Sequence, residues 1–142
     1  MNRTLLALAL TVLCLPAVLP AAEKTSRADR FEQRRQFVTE FAGDPRSSIS
    51  FMRSHDFEPL GDHTLLLYES INRAYLLEIE DFCPELTSAL AIGVNNKTST
   101  LNAKFDSVIV RGRSCRILEI RPVDVKAMKA AQKQRRAVEK SS

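Results

Sequence analysis

The chain has 142 residues and a formal net charge of +4, a length that suits one domain with a real core rather than several domains. Its charge is unevenly placed, because residues 126–142 carry a net charge of +5 while residues 23–125 carry −2. The high isoelectric point therefore belongs to the tail, which has no interleaved aromatic residues, and we expect no nucleic acid as a partner.

Residues 1–22 have the pattern of a secretory signal peptide. Arg3 is followed by an apolar stretch from Leu5 to Leu15, and small residues stand at Ala21 and Ala22. The stretch is shorter than the roughly 20 residues that a membrane-spanning helix needs, although an uncleaved anchor stays an alternative. We expect cleavage after Ala21 or Ala22 and a periplasmic mature protein.

A first amphipathic helix is predicted from Ser26 to Phe41. Ser26 and Asp29 have the spacing of a capping box, and a glycine and a proline follow the helix. Phe31, Val38 and Phe41 recur at helical intervals, so we expect these three side chains to face the core.

From Ile49 onward the apolar period changes from that of a helix to that of strands. The segment at 63–79 is the clearest hairpin, whereas "AIGVNN" at 91–96 is most simply a turn. We predict an α+β fold with a small, mostly antiparallel sheet of about six strands that can roll into a partial barrel. The expected strands are "SISFM", "HTLLLYE", "AYLLEI", "TSTLNA", "FDSVIVRG" and "CRILEIRPV".

The C-terminal segment is helical in composition from Val123 to about Arg136, but its apolar stripe is thin. Its first turns are expected to dock and its end to fray, so that residues 131–142 are dispensable for folding. The chain thus divides into a signal peptide (1–22), one α+β domain (23–125) and a basic helical tail (126–142). The tail's cations are candidates for contact with an anionic surface, or they only solvate the helix end: Lys126, Lys129, Lys133, Arg135, Arg136 and Lys140.

Six segments carry a resemblance: "EPLGD" (58–62), "RAYLLEI" (73–79), "CPEL" (83–86), "AIG" (91–93), "FDSVIVRG" (105–112) and "CRILEIRPVDVKAM" (115–128). They resemble a bacterial family of small exported proteins, domain of unknown function family 6491. The resemblance covers residues 49–128, and its most specific parts are the two cysteine segments and "IRPVDVKA". The N-terminal helix and the basic end match loosely. The resemblance implies a periplasmic location and a paired Cys83 and Cys115, but no activity, cofactor or partner.

Two cysteines, Cys83 and Cys115, remain once the predicted signal peptide with Cys14 is removed. An even count in an oxidising compartment favours a structural disulfide. A redox site would need a Cys-x-x-Cys motif, which the sequence lacks. A metal site would need His55 and His63 as further ligands, but neither the cysteines nor the histidines have the short spacing of structural zinc sites.

No constellation of residues predicts catalysis, a metal site or a cofactor. The "GDH" at 61–63 is explained by a turn followed by a strand. The carboxylates Glu78, Glu80, Asp81 and Glu85 predict a solvated acidic edge rather than a carboxylate pair for hydrolysis or a calcium loop.

The sequence therefore favours a non-enzymatic, exported binding or interaction module whose partner is an unknown protein or envelope component. One alternative is an envelope-associated protein held to anionic surfaces by its basic tail, with at most peripheral membrane contact. Another is an enzyme whose site is not recognisable from the sequence.

Overall fold

The computed structural model describes residues 25–80, 83, 85–96 and 98–142, so the predicted signal peptide lies outside the described residues. The described chain forms two helices, α1 (Arg27–Thr39) and α2 (Val125–Ser141), and a short 3-10 helix (Leu86–Ser88). Its strands are β1 (Ser48–Ser50), β2 (Asp56–Pro59), β3 (Thr64–Ser70), β4 (Arg73–Ile79), β5 (Ile92–Asn95), β6 (Thr100–Asn102), β7 (Ser107–Val110) and β8 (Arg113–Val123).

The main sheet has six antiparallel strands in the order β2-β3-β4-β8-β7-β5 and curls into a half-barrel. The remaining two strands, β1 and β6, pair with each other in a separate antiparallel ribbon. The predicted α+β class, the antiparallel sheet and the helix at each end are confirmed.

Each face of the sheet packs against its own core, and the outer core covers β3, β4 and the last residue of β8. In β3, Leu65 and Leu67 point to the inner face and Leu66 to the outer face, which explains the unbroken apolar run. The inner core also contains residues of the ribbon, Ile49 and Leu101, and Phe51, which directly follows β1. The outer core is closed by the two helices, through Val38 of α1 and by residues of α2.

The first helix starts as predicted, because the Ser26 hydroxyl accepts from the Asp29 amide at 3.1 Å and the Asp29 carboxylate accepts from the Ser26 amide at 3.0 Å. The prediction that Phe31 faces the core is wrong. Phe31 lies half-buried beyond the outer core, and Phe37, one residue before Val38, fills the core position. The Phe37 ring packs edge-on against Phe41 at 5.2 Å between centroids.

Two strands lie where the sequence patterns predicted none. The turn expected at 91–96 is wrong, because Ile92–Asn95 form the edge strand β5, whose partly buried Ile92 and Val94 pack against the inner core. The strand β2 contains Pro59, which a sheet tolerates at an edge, and β2 is the opposite edge of the sheet.

Cys83 and Cys115 are joined by a disulfide with 5.5 Å between their Cα atoms. Both residues are buried in the inner core, so the bond ties the segment after β4 to β8 from within. The two cysteines are 32 residues apart in the sequence.

The C-terminal helix is longer than predicted, ending at Ser141 rather than near Arg136. It begins behind Asp124, whose carboxylate accepts from the Ala127 amide at 3.0 Å. Fraying of its last turns stays a prediction. Neither helix among the described residues has the length and apolar character that would let it cross a membrane.

Candidate binding site

A cleft of about 720 Å³ opens where the first half of α1 crosses the end of the sheet. Its sheet side consists of the turn before β3, the start of β3, the end of β4 and one residue of β8. Gly61, with a φ of +131°, allows the chain to reverse there between β2 and β3. The volume falls within the range of about 300–1,000 Å³ that is typical of small-ligand sites.

The apolar lining of the cleft comes from both sides. Phe31 and Ala28 project from α1, Ile79 and Leu118 belong to the sheet, and Leu60 lies in the turn after β2. The displacement of Phe31 from the core, which the sequence pattern did not indicate, therefore supplies the aromatic wall of the cleft.

Leu118 reaches the cleft because of an irregularity in β8. Glu78 pairs with Glu119 and Ile79 pairs with Ile117, so the ladder skips Leu118 and the strand bulges there. The side chain is left 43% exposed and also lines a second groove of about 510 Å³, in which Phe105 is exposed. Because of the bulge, Leu118 has no partner on β4 and is partly exposed, although it lies within the apolar pattern of β8.

Arg27 ties α1 to the far rim of the cleft. Its Nη2 donates to the Thr87 carbonyl oxygen at 2.8 Å, and its guanidinium lies 5.5 Å from the centroid of the Phe31 ring. Because Thr87 belongs to the short 3-10 helix, this contact joins two segments that are 60 residues apart.

Glu78 is the half-buried acid in the cleft. Burial raises the pKa of its carboxyl, while the Thr64 hydroxyl, which donates to Oε2 at 3.2 Å, and the more distant Arg35 and Arg121 lower it. Thr64 itself is buried, so one side of the carboxylate is held by the sheet. Among the described residues Glu78 forms this hydrogen bond but no salt bridge.

A second carboxylate lies beside Glu78 on the next strand. Glu119 of β8 is directly opposite Glu78, an arrangement of like charges that destabilises a sheet. Glu119 forms an ion pair with Arg121 two residues along the same strand, which leaves Glu78 as the unpaired member. On α1, Glu32 is likewise occupied by both nitrogens of Arg35, at 2.9 and 3.0 Å.

The carboxylates expected to crowd one strand end have separate partners. Glu80 accepts from the Arg116 amide at 2.8 Å, and Glu85 pairs with Arg111 at 3.2 Å. Asp81 lies outside the described residues. Of the three described members of this group, Glu78 is the one that lines the cleft.

The two histidines lie at opposite ends of β3. His63 precedes the strand at the mouth of the cleft, with Asp62 beside it, whereas the His55 amide donates to the Tyr68 carbonyl near the other end. Both side chains are exposed. The described part of the chain contains no group of three or more His, Cys, Asp or Glu residues able to hold a metal ion.

The six basic residues of the tail do not share one environment. Lys129 Nζ donates to the Ile71 carbonyl at 2.6 Å. Arg135 lies 4.2 Å from the centroid of the Phe37 ring and pairs with Glu40 at 3.3 Å. All six are exposed, and the other four have no ion pair with a described residue: Lys126, Lys133, Arg136 and Lys140.

The fold and the cleft define a small α+β protein with a curled antiparallel sheet, an internal disulfide and one mixed polar and apolar cleft beside its first helix. The chain belongs to the family described as Family of unknown function (DUF6491), whose model matches residues 1–139. The match includes α1 and most of α2, beyond the residues 49–128 that carried the resemblance. No curated protein and no solved structure shows a significant match to the chain.

Proposed function

We propose that this protein is a small exported, periplasmic binding module of bacteria, which acts without catalysing a reaction and holds its ligand in the cleft beside α1. The signal-like residues 1–22 and the buried Cys83–Cys115 disulfide support export, because structural disulfides persist in oxidising compartments. The resemblance to a family of exported bacterial proteins supports the same location.

The observation that carries the binding proposal is the half-buried carboxylate of Glu78, which has no ion pair with a described residue and lies beside the apolar lining of the cleft. A buried charge is costly unless it is paired, and burial does raise the pKa of Glu78. A ligand cation would supply the missing partner, and the apolar body attached to it would cover Phe31 and Leu118.

The charge of the lining favours such a cation over an anion. Glu32 and Arg35 neutralise each other, while Arg27 keeps its charge and donates to the Thr87 carbonyl, so the cleft is lined by three acids and two cations. Two acids, Asp62 and Glu78, are left without an ion pair among the described residues. The ligand we propose is therefore an amphipathic cation, such as a peptide segment with a lysine or arginine beside an apolar side chain.

The test uses three small probes of matched size in an NMR titration of the folded chain: butylammonium, butanol and butyrate. We expect saturable shifts of the backbone amides of Thr64, Glu78 and Leu118 with butylammonium. Glu78→Gln should weaken this binding roughly tenfold, the effect of losing one charge-assisted contact.

Glu139→Gln is the matched control, because it removes a carboxylate from the exposed end of α2. This variant should bind butylammonium like the unaltered chain. Tighter binding of butyrate, or butylammonium shifts that map away from the cleft, would contradict the proposal.

A further inference from the structure

The exposed cations of α2 lie along one line of the helix. Successive residues of an α-helix are turned by about 100°, so Lys126, Lys133 and Lys140, each seven residues apart, lie within about 40° of one another. Lys129 and Arg136 extend this arc to about 80°. We call these five residues the basic stripe: Lys126, Lys129, Lys133, Arg136 and Lys140.

The basic stripe is next to the buried side of α2 and is kept free of acids on the helix itself. Arg135 is turned by about 180° from Lys126, where it reaches Phe37 and Glu40, and is not part of the stripe. Glu139 lies about 20° from the direction of the buried Met128. Lys126, Lys133, Arg136 and Lys140 form no ion pair with a described residue.

The body of the protein continues the surface of the basic stripe. The hydrogen bond from Lys129 to the Ile71 carbonyl holds the stripe against the turn between β3 and β4. At this turn the apolar Ile71 is about two thirds exposed, and so is Arg73, which forms an ion pair with Glu69 at 3.1 Å. Asp56 and Glu58 line the adjoining groove with Lys129, and Glu58 is paired with Arg34.

We propose that the basic stripe and Ile71 dock the protein peripherally on an anionic phospholipid bilayer. The helix is about 25 Å long and straight. A straight row of cations fits a flat bilayer surface better than it fits a flexible anionic polymer. Several cations near such a surface bind it additively, and Ile71 offers an apolar tip for the interface. The remaining residues of α2 contribute no large apolar face, so the contact is electrostatic and reversible.

The experiment measures sedimentation of the chain from Glu23 to Ser142, which contains every helix, strand and core residue of the described structure. The vesicles contain equal parts of phosphatidylglycerol and phosphatidylcholine, or phosphatidylcholine alone. The test variant is Lys126→Gln, Lys133→Gln, Lys140→Gln. The matched control, Arg30→Gln, Lys104→Asn, Arg116→Gln, removes three exposed cations from outside α2.

We expect binding to the anionic vesicles at low salt and its loss at about 1 M salt, where the Debye length is about 3 Å. The test variant should lower the partition coefficient roughly a hundredfold, and Ile71→Ser a few-fold. The control should stay within about threefold of the unaltered chain.

An equal loss in the two triple variants would overturn the proposal, because net charge rather than the stripe would then act. Equal binding to phosphatidylcholine alone would overturn it as well. So would binding to heparin, an anionic polysaccharide, together with no binding to the anionic vesicles. The outcome does not depend on the cleft, since no residue of the basic stripe lines it.

Discussion

The protonation of Glu78 depends on burial and on its neighbours on two strands. It is held by the Thr64 hydroxyl on β3 and faces the Glu119 carboxylate on β8. The cations Arg35 and Arg121 act on it only at longer range, and burial is the largest influence, raising its pKa. An ionised carboxylate in this position lowers the stability of the fold. Such a cost is typical of residues that are kept for binding rather than for folding.

Replacing Glu78 by Gln should stabilise the protein at neutral pH and not in acid. Because the folded-state pKa is raised, the folded protein binds the proton more tightly than the unfolded chain, and stability falls as pH rises through that pKa. At pH 7 we expect thermal unfolding of Glu78→Gln a few degrees above that of the unaltered chain. Below the ordinary pKa of 4.5 the difference should vanish.

Calorimetric or circular-dichroism melting curves at pH 7 and at about pH 3.5, below the ordinary carboxyl range, would check this pH dependence. The Glu139→Gln variant again serves as a control. A lower melting temperature of Glu78→Gln at pH 7 would mean that Arg35 and Arg121 outweigh burial.

The Cys83–Cys115 bond should contribute several kcal/mol to stability. Closing a loop with ends 32 residues apart restricts the unfolded chain by roughly 3.5–4 kcal/mol in the chain-entropy model. A Cys83→Ala, Cys115→Ala double variant should therefore lose about 2–5 kcal/mol in denaturant unfolding. Oxidised and reduced protein with the same denaturation midpoint would show that the bond adds nothing.

The elements that the sequence predicted well have strong local signals. The capping box at Ser26, the hairpin at 63–79 and the long strand ending at Val123 all appear near their expected bounds. The strands that were missed have weak signals. In β2, two charged residues and Pro59 hide a four-residue strand, and in β5 a glycine and an asparagine imitate a turn.

Helical spacing alone did not determine which residues of α1 are buried. Phe31 and Val38 are seven residues apart and lie nearly on one line of the helix, yet Val38 is fully buried and Phe31 is not. The difference arises because Val38 lies over the sheet, whereas Phe31 lies beyond the end of the sheet. Periodicity predicts the direction of a side chain but not the extent of its partner, so the aromatic wall of the cleft was missed.

The end of α2 should divide into a part that stabilises the fold and a part that does not. The thin apolar stripe of α2 predicts that residues 131–142 are dispensable for folding. In the structure, however, Arg135 packs on Phe37 and pairs with Glu40, and Ala131 lies against the outer core. Deleting 137–142 should leave the melting temperature unchanged. Deleting 131–142 should lower it by about 4 °C, since a cation–π contact is worth about 0.5–1 kcal/mol.

Arg135→Gln separates this contact from the loss of helix length. It should reproduce about half or more of the effect of the longer deletion. If both deletions melt like the full chain, the contacts of Arg135 do not stabilise the fold.

At the scale of the whole molecule, the cleft is assembled from segments that are far apart in the sequence. Its walls come from residues 27–35, 60–64, 78–79, 87 and 118. None of these segments has a motif by itself, because the chemistry arises where α1 overhangs the sheet and β8 bulges. This is the physical reason that the candidate site was not predicted although the fold class was.

Export should link the N-terminal segment, the disulfide and the fold in one measurable event. The segment at 1–22 has the pattern of a signal peptide, and the buried Cys83–Cys115 bond requires oxidising conditions to form and persist. Intact-mass analysis of protein from the periplasm should therefore show a chain that starts at Glu23 or Ala22 and is lighter than its reduced form by two hydrogen atoms. A variant without residues 1–22, retained in the cytoplasm, should have both thiols free to labelling and should melt near the Cys→Ala double variant. Periplasmic protein that still begins at Met1 would exclude cleavage, and a labelled Cys83 in processed protein would exclude the bond.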